Sequence, residues 1–251
     1  MKLVRSCLFT PCDRIQVMKK SITLKTDYII FDLEDSVSPN KKKDARLELI
    51  NFIKSIEYNK KTKMAIRINC PISTEWGKED LIQTTILSNI DAIVLPKVDN
   101  INLLNDVINY TNKPIWTMIE TCKGIINCES IADHSSVEAL VLGGNDLTKD
   151  LKAKFSNNRN HLLYSMSKIV LAARAANKLA IDAVYMNIKD NDGLQSDCIL
   201  GRDLGFDGKS LIHPDQISIT NQIYSPSQEE IQYAIKVIDI WNKAMAKGNI
   251  L

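Results

Sequence analysis

The chain has 251 residues, 45% of them hydrophobic and 25% charged, a composition ordinary for one globular domain and unlike that of a disordered chain. Its formal net charge of +2 supplies no nucleic-acid footprint and no charged-membrane partner. Six cysteines form no C-x-x-C pair, and three scattered histidines, His134, His161 and His213, assemble no zinc site by spacing.

In chain order, eight short apolar runs punctuate the sequence: 5–11 (RSCLFTP), 28–35 (YIIFDLED), 64–69 (MAIRIN), 92–98 (AIVLPKV), 114–120 (PIWTMIE), 139–146 (ALVLGGND), 180–185 (AIDAVY) and 206–214 (FDGKSLIHP). Such near-continuous runs are how parallel strands buried on both faces read. Residues 44–56 have helical spacing through Leu47, Ile50, Ile53 and Lys54, and 162–176 form a longer apolar helix. A further helix spans about 228–247 behind a Ser225-Pro226-Ser227 cap, and residues 101–110, 124–131 and 193–204 fill other gaps between strands. Strands alternating with helices predict right-handed βαβ units. Eight units predict an α/β fold, a single (β/α)₈ TIM barrel over residues 1–251. A doubly wound open sheet is the alternative, but Thr10-Pro11-Cys12-Asp13 after the first strand holds no G-x-G-x-x-G. No linker or repeat divides the chain. Residues 1–5 lead straight into the first run with no signal peptide, and no run approaches membrane-spanning length. Free thiols in the cytoplasm are the economical expectation. Lys41, Lys42 and Lys43 read as a solvated first helical turn.

Several runs end in a polar residue, which is where a barrel carries its chemistry. Glu120 closes the fifth run and Asp146 the sixth, which predicts neighbouring positions on one rim. Two carboxylates without a histidine or thiolate suit a hard, oxygen-seeking ion, Mg²⁺ above all. The alternative is that each caps a helix or pairs with a lysine. Arg67 ends the third run, placed either to grip a substrate carboxylate through two hydrogen bonds or to pair with Glu34 or Asp35. Asp32, Glu34 and Asp35 repel one another unless a cation offsets them, so they belong to a site or to the residues behind it. Gly143, Gly144 and Asn145 ahead of Asp146 let backbone approach a bound anion, or simply make a tight turn. Lys97 and His213 point at the same rim, His213 as a weaker candidate base.

In order along residues 5–227, these residues carry a resemblance: Arg5-Ser6-x-Leu8-Phe9-x-Pro11, Asp32-Leu33-Glu34-Asp35-Ser36-Val37, Arg67-x-Asn69, Val94-Leu95-Pro96-Lys97, Met118-Ile119-Glu120-Thr121, Gly143-Gly144-Asn145-Asp146-Leu147, Gly201-Arg202-x-Leu204-Gly205-Phe206-Asp207-Gly208-Lys209 and Ile212-His213-Pro214. The set resembles the citrate lyase β-subunit (CitE-like) family of the HpcH/HpaI aldolase group. The resemblance implies a Mg²⁺-dependent carbon–carbon lyase, usually a homotrimer or a larger oligomer such as a hexamer. It would cleave a citryl-, malyl- or citramalyl-thioester into a 2-oxo acid and an acetyl thioester. Glu120 and Asp146 would be the metal ligands. Arg67 would bind the oxo-acid carboxylate, with Glu120 bordering it and the Gly143, Gly144 and Asn145 backbone helping to hold it. The loop containing Phe9, Pro11 and Arg14, with residues 41–46, lies where relatives receive CoA or an acyl-carrier thioester.

Two departures stand out. Cys12 replaces a glycine common after the Phe-x-Pro motif. The sequence runs only to Leu251, and the resemblance leads to the expectation that the C-terminal lid segment of longer relatives, whose Asp acts in proton transfer, is lacking. The acid–base group is then expected from the acidic cluster at residues 32–35, with Glu34 and Asp35 as its catalytic members, from water, from a partner protein, or not at all. A second expectation follows, a metal- and oxo-acid-binding subunit that needs an acyl carrier partner and has little activity alone. A third is an enzyme acting on a free oxo acid.

Overall fold

The computed structural model describes residues 3–57, 62–156 and 158–246. Their strands are β1 (Ser6–Pro11), β2 (Tyr28–Asp32), β3 (Lys63–Arg67), β4 (Ala92–Leu95), β5 (Ile115–Ile119), β6 (Val137–Leu142), β7 (Leu179–Asp182) and β8 (Gly208–Leu211). Each pairs in parallel with the next, and β8 returns to β1, closing the predicted barrel. All eight apolar runs therefore overlap a strand.

Alternation sorts each strand into two cores. Tyr28 of β2 and Trp116 of β5 lie three strands apart, yet their ring centroids are 4.5 Å from each other, which requires contact across the lumen. The same inward set includes Ile30, Val94 and Val141. The alternate residues, such as Ile29, Phe31, Ile66 and Leu140, pack outward against the helices. Neither side of the sheet faces solvent, hence the near-continuous apolar runs.

The helices are α1 (Ile15–Ser21), α2 (Lys42–Ser55), α3 (Gly77–Thr85), α4 (Ile101–Val107), α5 (Cys122–Ile126), α6 (Cys128–Asp133), α7 (Gly144–Asp150), α8 (Leu163–Ala175), α9 (Asn191–Leu204), α10 (Gln216–Ile223) and α11 (Gln228–Ala246). The expected helix over 124–131 is in fact two, broken at Asn127, whose amide donates to the Asp99 carbonyl. Helix α2 turns a different face inward from the one expected: Ala45, Leu49, Phe52 and Ile53 are buried while Leu47 is 54% exposed. The lysine run is also not wholly solvated. Lys42 is buried with its Nζ on the carbonyls of Leu33 (2.9 Å) and Glu34 (2.6 Å), so it ties α2 to the turn after β2. Arg46, within the expected carrier region, is buried against Asp80 and Glu79 and presents nothing to a ligand. Helix α11 matches the expected C-terminal helix, with residue 247 lying outside the described residues, and none of its residues is buried. Among the described residues, no helix is long and apolar enough to cross a membrane.

Candidate active site at the C-terminal rim

Strand register builds the site. Asp32 and Arg67 end β2 and β3 as direct partners, so both project inward side by side. Arg67 grips Asp32 through Nε (2.7 Å) and Nη2 (2.6 Å), a two-point fork. Its Nη1 lies 2.9 Å from Glu34 and 3.6 Å from Asp35, and its guanidinium stacks 4.7 Å from the Phe9 ring. The pairing expected with Glu34 and Asp35 is therefore present, and it holds the guanidinium at the rim. Burial, the largest influence, would raise the Asp32 carboxyl, but the Arg67 charge together with hydrogen bonds from Arg67, Ser36 and the Glu34 N–H holds Asp32 below the usual range. Glu34 goes the other way. Burial raises it, Arg67 opposes and Asp35 adds to the rise.

Glu120 follows β5 directly, is 3% exposed, and packs where Gly143 has no side chain; a Cβ there would collide with it. The requirement at Gly143 is clearance. Glu120 Oε1 accepts the Lys97 N–H at 2.7 Å, and Lys97 holds a left-handed φ of 55° while its Nζ reaches Glu34 at 3.3 Å. A non-glycine residue in that conformation stores strain that the surrounding contacts must hold. Burial first, then the neighbouring Glu34 and Asp146 charges, push Glu120 up to about 7, against the Lys97 N–H and Arg67.

Asp146 does not close a strand. Strand β6 ends at Leu142, and Asp146 sits in the first turn of α7, paired with Lys149 at 2.8 Å. That lysine is 78% exposed, a pairing worth little in water. The Gly143 N–H is already given to the Ile119 carbonyl, so Gly144 and Asn145 open the helix.

A cavity of about 530 Å³ is lined by Phe9, Pro11, Asp32, Asp35, Arg67, Glu120, Gly143, Gly144, Asn145 and Asp146, so most of the expected residues converge. Glu34 lies behind Arg67, outside the lining. Arg14 also stands outside it, 64% exposed beside Asp13. His213 is turned towards Asp215, likewise away from the cavity. Val184, Met186 and Ser210 line the cavity from outside the sequence motifs, and Met118 and Ile212 line it from within them. Met118, two residues before Glu120, was within reach of period-two reasoning.

Among the described residues no group of three His, Cys, Asp or Glu side chains could enclose a metal. Two carboxylates are enough for Mg²⁺, which keeps several waters and takes substrate oxygens. Glu120 makes no ion pair among the described residues, and its raised pKa is that of a buried carboxylate short of positive charge. The donor set therefore fits a hard divalent ion.

The model of the HpcH/HpaI aldolase/citrate lyase family matches residues 5–214. The chain belongs to that family. A (3S)-malyl-CoA thioesterase of Cereibacter sphaeroides is 38% identical over 97% of this chain and 85% of its own length. The citrate lyase subunit beta of Leuconostoc mesenteroides subsp. cremoris is 33% identical over 99% of this chain and 85% of its own. The crystal structure of CitE from Mycobacterium tuberculosis in complex with magnesium, acetoacetate and coenzyme A superposes with a TM-score of 0.82 at 27% identity, covering 96% of this chain and 88% of that one.

Proposed function

We propose that this protein is a Mg²⁺-dependent carbon–carbon lyase that cleaves a 3-hydroxyacyl thioester of the malyl, citramalyl or citryl kind into a 2-oxo acid and an acetyl thioester. The observation that carries the reading is the buried, cation-poor Glu120 sharing one cavity with Asp146 and Arg67. In this reading Glu120 and Asp146 hold the ion, and Arg67 orients the substrate carboxylate. The bound ion supplies Lewis-acid polarisation of the substrate hydroxyl and carboxylate. Asp35, lining the cavity and 62% exposed at its side chain, takes the hydroxyl proton and exchanges it with water. Glu34 acts indirectly, holding Arg67 and Lys97 in place. The Arg67 charge, fixed beforehand by Asp32, stabilises the carboxylate throughout without reorganising.

The carrier is CoA or an acyl-carrier thioester arriving past Phe9 and Pro11. Further support comes from the magnesium and coenzyme A named for the CitE neighbour and from the citrate lyase subunit beta relative. We propose the cytoplasm as its compartment, in keeping with six unpaired cysteines. A homo-oligomer, trimer or hexamer, is supported by α11, whose Ile235, Ile238 and Trp241 are about half exposed.

A second reading, thioester hydrolysis on the same substrates, is favoured by the relative named (3S)-malyl-CoA thioesterase. Incubation with Mg²⁺ and malyl-, citramalyl- or citryl-CoA separates the readings by their products. Oxo acid with acetyl-CoA supports the lyase, and hydroxy acid with free CoA supports the thioesterase. Oxo acid released only from an acyl-carrier thioester supports a subunit of a larger complex. No product from any thioester would overturn the proposal.

A further inference from the structure

Ser210 holds a hydroxyl at the cavity floor with nothing to bond. Strand β8 pairs Ser210 with Cys7 of β1, which faces the lumen, so Ser210 points inward. Its neighbours Lys209 and Leu211 face the helices instead. Ser210 is 1% exposed and lines the cavity, and its Oγ has no hydrogen-bond partner among the described residues. Thr10 Oγ1 and Tyr224 Oη share that lack, but their residues stand outside the lining. A buried hydroxyl left unbonded costs free energy, so its place beside a cavity calls for an occupant that accepts its proton. The surrounding wall offers no substitute donor. Leu142, Val184, Met186 and Ile212 carry no side-chain N–H or O–H. Ser36 Oγ is engaged with the Asp32 carbonyl (3.3 Å) and Asn145 Nδ2 with the Met186 sulfur (3.3 Å).

Position says which substrate atom meets this hydroxyl. Glu120 and Asp146 follow β5 and β6, while the proposed carrier path runs past Phe9 and Pro11 of β1, the strand next to β8. An acyl chain anchored at the two carboxylates and leaving past β1 brings its thioester carbonyl, two carbons beyond the hydroxyl-bearing one, to Ser210. Resting on the lyase reading, we propose that Ser210 is a further catalytic residue, its hydroxyl donating to the thioester carbonyl oxygen of the substrate. In the cleavage Asp35 takes the hydroxyl proton, and the electron pair of that O–H bond forms the new carbonyl. The pair of the broken carbon–carbon bond passes into the acyl fragment as an enolate, with its negative charge on the thioester oxygen. A donor fixed beforehand at that atom bonds the enolate more strongly than the neutral carbonyl, which lowers the barrier. The enolate carbon then takes the proton back from Asp35, completing the acetyl thioester.

The test compares Ser210→Ala and Ser210→Thr with the wild-type protein in Mg²⁺, on whichever of malyl-, citramalyl- and citryl-CoA the wild-type protein cleaves fastest. Ser210→Ala should lower kcat at least about tenfold, the scale of losing one donor to a developing oxyanion. Affinity for the released oxo acid, measured by calorimetry, should stay within about twofold, because that product lacks the thioester. The denaturant midpoint should not fall, since no bond within the fold is lost. Ser210→Thr keeps the O–H and should recover most of the rate. A wild-type kcat in Ser210→Ala, or an equal loss in both variants, overturns the inference and leaves the lyase reading standing. A slower Ser210→Ala that also unfolds at lower denaturant overturns it too, because the hydroxyl would then be a bond of the fold. Failure of the wild-type protein to cleave any of the three removes the lyase reading itself, and the inference with it.

Discussion

Two clusters of ionised side chains are built into this barrel, and their difference lies in balance. On the outer face of β7 and β8, under α9, Arg159 and Lys209 meet Asp182 and Asp197, two cations with two carboxylates, all buried. Lys209 is fully enclosed, with its Nζ 2.9 Å from Asp182 and also against Asp197. Arg159 reaches Asp182 and Asp197 at 2.7 Å each from a left-handed φ of 53°, a conformation the ion pairs hold in place. Nothing in that cluster is left over for a ligand. At the rim, Asp32, Glu34, Asp35, Glu120 and Asp146 outnumber Arg67, Lys97 and Lys149, and the surplus faces an open cavity. Burial alone does not mark a functional site; uncompensated charge beside a cavity does.

The largest effects should fall on the surplus. Glu120→Ala and Asp146→Ala are expected to abolish Mg²⁺ binding and turnover while leaving the fold intact, read by calorimetry, product assay and circular dichroism. Unchanged metal affinity in either variant would remove that residue from the proposed ligand pair.

The balanced cluster should respond in stability instead. Lys209→Met leaves two buried carboxylates sharing Arg159, and breaking a buried network of this kind costs about 3–5 kcal/mol. Denaturant unfolding measures it. A loss below about 1 kcal/mol would show that the outer cluster does not hold β7, β8 and α9 together as described.

These two clusters were not equally legible. The rim could be read because Asp32, Arg67 and Glu120 lie at the ends of apolar runs, where a parallel barrel concentrates its chemistry. The outer cluster could not, because Asp182 and Lys209 lie in separate apolar runs and nothing in the sequence ties them to Arg159 and Asp197, which stand outside any run. Lys42 escaped for a similar reason: its partners are carbonyl oxygens, which leave no mark in a sequence. Short helices such as α1 and α7 carry too few turns to show a period, so Asp146 was assigned to a strand end when it lies one helical turn beyond.

A third prediction sharpens the comparison through pH. The Glu120 carboxyl titrates near 7 in the folded chain against an ordinary 4.5. The folded state therefore favours its protonated form. The associated stability is fully present below about pH 4.5 and is lost as pH rises through 7, by roughly 2–4 kcal/mol. Glu120→Gln keeps the shape and removes the titration. In EDTA, the variant should gain on the wild-type protein steadily between pH 4.5 and 7.5, in denaturant unfolding. Asp182, held below the usual carboxylate range because Lys209 and Arg159 outweigh its burial, should contribute in the opposite sense, losing stability only under acid. A stability gap between wild-type and Glu120→Gln that does not change with pH would mean that Glu120 is already compensated, and the contrast between the clusters would collapse.

The smallest expected effect concerns the edge of the site. Arg14 is mostly exposed, lies outside the cavity lining, and shares Asp13 with Lys41 at 3.5 and 3.6 Å respectively. If the carrier's phosphates approach past Phe9 and Pro11, Arg14 meets them in water, where a single charge contributes less than about 1 kcal/mol. Arg14→Ala should then raise KM for the CoA thioester a few-fold, leave kcat unchanged, and make KM less sensitive to added salt. An unchanged KM with an unchanged salt response would take Arg14 out of carrier binding. A fall in kcat would mean that this loop reaches the chemistry itself, and that the surplus charge at the rim extends further than the cavity lining indicates.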